Sequence, residues 1–313
     1  MSFSPSSWAR RRRTRWPVKH QRRLIDRTST LSSAVFLPRL SKQYERTFRD
    51  LAAEETKTLE EFDDRGAVVK RRQIVSDLIV YRSSREDAAT AEYRDVQSVD
   101  GQLVGKREAR ALKILTDAAN ADSLQKELRR INDESMKYEF GMHWVGFTTN
   151  QGGGFKSWRN LFAFEWLGEE SLNGHDVVRI RYQQTTPRPG SFDVRLPSAF
   201  VPRFLLVRGT LWLDRQTARV WRSEEEYTVR HRTIPAPFVW ARIEKTYASS
   251  PFDINVPERI VLTRFSRYRH SKGEADALAL QDRTTLTYTN FRRFGVASET
   301  EYQLPAAPGD RSR

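Results

Sequence analysis

The sequence predicts an α+β protein built on one large antiparallel β-sheet, and three observations carry that reading. About ten segments alternate apolar and polar residues with a period of two. Turn signals such as Asp100-Gly101 and Leu172-Asn173-Gly174-His175 separate several of them. Helical periodicity is confined to two or three stretches, so the helices gather against one face of the sheet instead of alternating with its strands.

The elements follow in order. A helix is expected over 38–51, with Leu37, Leu40, Tyr44, Phe48 and Leu51 on one face and Pro38 in its first turn. A hairpin then joins 59–62 to 68–81 across Asp63-Asp64-Arg65-Gly66, and a second joins 93–99 to Leu103-Val104. A helical insert covers 107–138. Its first helix is expected over 107–118; its second starts at Asp122 with Gln125 as in a capping box and carries an apolar seam of Leu124, Leu128, Ile131, Ser135 and Tyr138. Strands are expected at 161–167, 177–184 (Val178, Ile180 and Tyr182 inward), 210–213, 220–230, 239–247, 259–268 and 284–294. The domain therefore spans 35–300, between a disordered basic N-terminal tail at 1–34 and a disordered C-terminal tail at 301–313.

Charge is concentrated in the first tail. Residues 1–34 hold nine Lys and Arg against Asp26 alone, a net of +8 out of the chain's +14. The basic total thus describes the tail more than the fold. Three readings of the tail compete: a basic arm for anionic partners, a cryptic targeting segment, or upstream sequence read from too early a start. No apolar run is long enough for a transmembrane helix. The absence of cysteine excludes disulfides, thiolate metal sites and a cysteine nucleophile, and fits cytosol or periplasm alike.

One segment is more pointed: Arg208-Gly209-Thr210-Leu211-Trp212-Leu213-Asp214-Arg215-Gln216-Thr217-Ala218-Arg219-Val220-Trp221-Arg222. It resembles the strand, Asp-containing turn and strand of the periplasmic outer-membrane lipoprotein-sorting carrier (LolA-like) superfamily. The order of elements and the terminal strand Leu286 to Phe294 are similar too. The resemblance implies a half-open β-barrel, that is, a large curved antiparallel β-sheet with two or three helices packed on its concave face. It also implies a non-catalytic bacterial carrier of a lipid or lipoprotein acyl chain, periplasmic if the true leader is missing. The chain departs from the pattern in lacking a recognisable signal peptide and a lipidated cysteine, and in its insert.

The residues themselves point away from catalysis. His20, His143, His175, His231 and His270 show neither metal-ligand spacing nor a nucleophile partner. Glu224 and Glu226 share a strand face, but the nearby arginines make that face a solvated, charged one. The glycines of Asn150-Gln151-Gly152-Gly153-Gly154 lack the lysine and hydroxyl of a phosphate loop. No catalytic residue, metal or cofactor is expected.

Aromatic residues are the candidate binding groups. Phe162, Phe164 and Trp166 alternate on one strand, and Trp221 and Tyr227 share a face of another. They line either a filled core or an apolar cavity, and on the carrier reading these five are the ligand-binding residues. The competing readings are a structural or protein-interaction domain without a small ligand, and a nucleic-acid-binding protein. The last would use the tail, with Phe265, Arg267, Tyr268, Phe291 and Arg292 interleaving rings and charge.

Overall fold

The computed structural model describes residues 51–82, 90–141, 162–185, 204–230, 238–252, 254–268 and 277–293. Eleven strands form one antiparallel sheet: β1 (Leu51–Phe62), β2 (Val68–Arg82), β3 (Thr90–Val99), β4 (Gln102–Leu103), β5 (Phe162–Leu172), β6 (His175–Gln184), β7 (Phe204–Asp214), β8 (Val220–Arg230), β9 (Phe238–Ser249), β10 (Asn255–Tyr268) and β11 (Ala277–Arg293). Their spatial order is β4-β3-β2-β1-β11-β10-β9-β8-β7-β6-β5. Among the described residues two helices, α1 (Arg107–Ala119) and α2 (Leu124–Ser135), lie between β4 and β5 in sequence. The predicted antiparallel α+β architecture is therefore the one observed.

Turn chemistry fixes the hairpins. Asp100 and Gly101, with φ of 51° and 79°, and Asn173 and Gly174, with φ of 52° and 82°, hold the left-handed pairs that match the twist of the flanking strands. The Asp214 carboxylate accepts from the amides of Gln216 and Thr217 and from the Thr217 hydroxyl, closing the β7–β8 turn.

Several strands begin earlier than their apolar alternation predicts. Strand β1 starts at Leu51, within the span expected to be helical, because its inward positions Glu55 and Lys57 are charged and hide the period. Residues 1–50, with the rest of that expected helix and the basic tail, lie outside the described residues, as does the C-terminal tail. Helix α2 is capped by Ser123, whose hydroxyl accepts from the Lys126 amide; the expected cap, Asp122, pairs instead with Lys126.

The sheet curls. Lys245 on β9 feels the charge of Glu92 on β3, although a flat sheet in this order would hold those strands five spacings, about 24 Å, apart. The concave face carries the main core, including Leu78, Tyr227, Ile243, Ile260, Leu262 and Leu286. Helices α1 and α2 pack through Ala118 and Ile131 on Ala91 and Tyr93 of β3, which alternate with the inward Glu92 and Arg94; the helices therefore cover the opposite face of that strand and not the expected concave one, which the ion pairs of Glu92 and Arg94 occupy. Ser135 of α2 also seals the free edge of β3: its hydroxyl donates to the Glu92 carbonyl and accepts from the Arg94 amide. The chain then turns onto the concave face, where Tyr138 and Phe140 cover Leu59, Ile74 and Val96 and Glu139 pairs with Lys57.

Candidate functional site

Cross-strand register arranges the concave face in rows, because directly opposed residues point the same way. One row runs Trp166, Ile180, Leu211, Ser223, Lys245, Ile260; its neighbour runs Phe164, Tyr182, Gly209, Glu225, Ile243, Leu262. Along these rows the face changes character.

At the β5 end it is aromatic and open. Phe164 and Trp166 are 40% and 43% exposed. The Phe162 ring meets Tyr182 edge-on at 5.7 Å, and Phe164 lies 6.4 Å from the same ring. Tyr182 lies flat on Gly209: a Cβ there would sit 2.5 Å from its ring and hydroxyl and against the Glu224 carbonyl. Only glycine lets the tyrosine cross that strand.

Toward β1 and β3 the same face holds buried ions. The Arg94 guanidinium donates to both oxygens of Glu55, at 2.7 and 3.0 Å, and to Glu92 at 2.8 Å. Lys57 lies 3.8 Å from Glu55 and bonds Glu139. Burial pushes Glu55 upward, but Arg94 and Lys57 overcome it and hold the carboxyl below its ordinary value. Burial likewise pulls Arg94 down, yet Glu55 and Glu92 keep it well above the ordinary range. A second group centres on Glu225, which accepts from Tyr227 at 2.6 Å and also from Tyr182. Burial, reinforced by Glu225, drives both tyrosines well above the ordinary phenol range. Lys245, 1% exposed, is lowered by burial against the opposing pull of Glu225 and Glu92.

The five expected lining residues separate. Phe162, Phe164 and Trp166 come together on β5. Tyr227 shares their face but is buried, with its hydroxyl committed to Glu225. Trp221 stands apart: the register slips between Trp212/Arg222 and Leu213/Val220, leaving it as the extra residue of a bulge. Its ring stacks on His175 at 3.7 Å and its indole N–H points to Asp214 at 3.4 Å. Tyr182 joins the aromatic group; its inward position was legible, its partnership with the β5 rings was not.

Glu224 and Glu226 fall on the opposite face from Glu225, where Arg222 pairs with the first and Arg208 and Arg242 with the second. Of the basic and aromatic residues weighed for nucleic acid, Phe265 lies near Arg242, Phe291 packs on the core and Arg292 pairs with Asp77. His20, His143, His231 and His270 and the loop 150–154 lie outside the described residues. Among the described residues no group of three or more His, Asp or Glu is placed to hold a metal, and no helix is long and apolar enough to cross a membrane.

No family model matches the sequence, and no curated protein does. Solved structures give distant likenesses of similar extent. A putative outer membrane lipoprotein-sorting protein domain from Vibrio parahaemolyticus superposes with a TM-score of 0.37 at 11% identity, over 85% of this chain and 94% of that one. A DUF1329 family protein from Desulfovibrio piger gives 0.35 at 10%, over 84% and 95%. A LolA superfamily protein from Nitrosomonas europaea gives 0.30 at 9%, over 84% and 95%. At such scores the function is read from the residues of the site itself.

Proposed function

We propose that this protein is a non-catalytic binding protein that holds an apolar or amphipathic ligand, such as a lipid or acyl chain, against the concave face between β5 and β8. The observation that carries the reading is the exposure of Phe164 and Trp166 on the side of the sheet that carries the main core. Two large rings left open beside Phe162, Ile180 and Tyr182 form an apolar surface continuous with the core. The ion network on β1 and β3 leaves this end of the sheet as the apolar seat.

Native mass spectrometry of the full chain, purified without detergent, tests the reading. A lipid-sized adduct that organic extraction removes, and that the double variant Phe164→Ser, Trp166→Ser lacks, is the expected result. A bare mass that also fails to take up added fatty acid would overturn it.

A second reading, partner binding, is favoured by a separate observation. Leu103 and Leu112, beside and on α1, are 87% and 70% exposed, on elements outside the concave face. Capture of a protein partner that Leu112→Glu abolishes and the Phe164/Trp166 variant spares would select it.

A further inference from the structure

The row that begins at the open edge ends on a buried amine. Trp166, Ile180, Leu211, Ser223 and Lys245 are successive cross-strand neighbours from β5 to β9. They span four strand spacings, about 19 Å along the sheet, a distance suited to an extended acyl chain. The row is open at Trp166 and fully buried at Lys245.

The carboxylates around that amine are already occupied. Glu225 accepts from the hydroxyls of Tyr227 and Tyr182, and Glu92 accepts from Arg94. Both act on Lys245 through their charge. Across the interior, Arg94 has bonded Glu55 and Glu92 through Nε and Nη2, and its Nη1, also buried, has no acceptor among the described residues. The buried Ser76 hydroxyl, on the strand beside it, is likewise without a partner. Nη1 of Arg94 is therefore a buried donor left over, beside a hydroxyl that can donate or accept. Buried donors without acceptors are destabilising, and an anion satisfies more of them than any neutral group.

We propose that Lys245 anchors the anionic head, a carboxylate or phosphate, of a single-chain amphiphile whose chain lies along Leu211, Ile180 and Trp166, with Nη1 of Arg94 as a second donor. The inference rests on the preceding reading that the concave face holds an apolar chain, and adds which head group the chain carries and which end enters first. Trp166 then touches the tail and Lys245 the head.

The test compares myristate, tetradecanol, acetate and inorganic phosphate as competitors for a fluorescent fatty acid on the full chain, wild type and Lys245→Met. Methionine fills the lysine's volume without its charge, and Glu225 and Glu92 keep their donors Tyr227, Tyr182 and Arg94; a thermal melt confirms folding, and Lys245→Gln serves if the methionine variant fails it. Wild type is expected to prefer myristate over tetradecanol by about tenfold or more, the worth of one charge-assisted hydrogen bond. Lys245→Met is expected to erase that preference while leaving tetradecanol unchanged. Equal binding of acid and alcohol by wild type, or a preference that survives in Lys245→Met, overturns the head-group assignment and leaves the apolar seat standing. Phosphate or acetate competing as well as myristate overturns it in favour of a free-anion site. Failure of both long-chain compounds to compete defeats the apolar seat itself, and this inference with it.

Discussion

The two ends of the concave face differ in how they meet the same requirement. From β1 to β3, polar side chains point inward and pair with one another, with Arg94, Glu55, Glu92, Lys57 and Glu139 forming one connected network that leaves Nη1 of Arg94 and the Ser76 hydroxyl over. At β5 and β6 the side chains are aromatic, and two of them remain open. Ions withdrawn from water are costly unless paired, so each member of that network fixes the position of the others. Rings on an edge strand need no partner, so the second is free to receive one.

The largest expected effect comes from breaking the network. Arg94→Met strands Glu55 and Glu92 in the interior and should lower stability by about 3–5 kcal/mol, read from urea unfolding. A loss below 1 kcal/mol, on that scale, would mean the two carboxylates are hydrated. Adding Glu55→Leu to Arg94→Met should recover part of the loss, since one stranded charge goes.

The border between the regions comes next. Gly209→Ala drives a Cβ into Tyr182 and the Glu224 carbonyl, and an overpacked site of this kind typically loses about 1–3 kcal/mol. Thermal melts of Gly209→Ala and of Gly209→Ala with Tyr182→Leu separate the causes. Partial recovery in the double variant is expected, and none would assign the strain to the backbone contact alone.

Lys245 gives a smaller effect with a definite sign. Its folded value lies below the ordinary 10.5, so this group's contribution to stability should rise with pH between the two, until Tyr182 and Tyr227, raised in the folded chain from the ordinary 10.0, reverse the slope as they ionise in the unfolded chain. Glu55 acts at the other limit: lowered from 4.5, it contributes stability above that pH, which is lost as pH falls through the folded value. Urea midpoints across both ranges check this. Lys245→Met should flatten the alkaline rise and leave the acid limb in place; an unchanged alkaline limb would show the amine to be hydrated.

The smallest effect on stability belongs to the open edge. Phe164→Ser and Trp166→Ser should each shift stability by only a few tenths of a kcal/mol, as surface changes do, while weakening capture of a fluorescent fatty acid. A loss of stability comparable to that of Arg94→Met would make these rings part of the core and erase the contrast.

The sequence by itself determined the antiparallel sheet, its hairpins and its helical insert, because period-two alternation and turns such as Asn173-Gly174 are local properties of the chain. It placed Phe162, Phe164 and Trp166 on one face for the same reason. Tertiary structure decided the rest. Strand β1 was hidden because Glu55 and Lys57, polar in sequence, become inward residues only when Arg94 and Glu139 arrive from elsewhere in the chain. Trp221 left the face of Tyr227 through one extra residue in the β7–β8 register, which alternation cannot reveal. The reach of the Glu92 charge to Lys245 across the interior depends on the curl of the whole sheet, a sum of small twists that no single strand encodes.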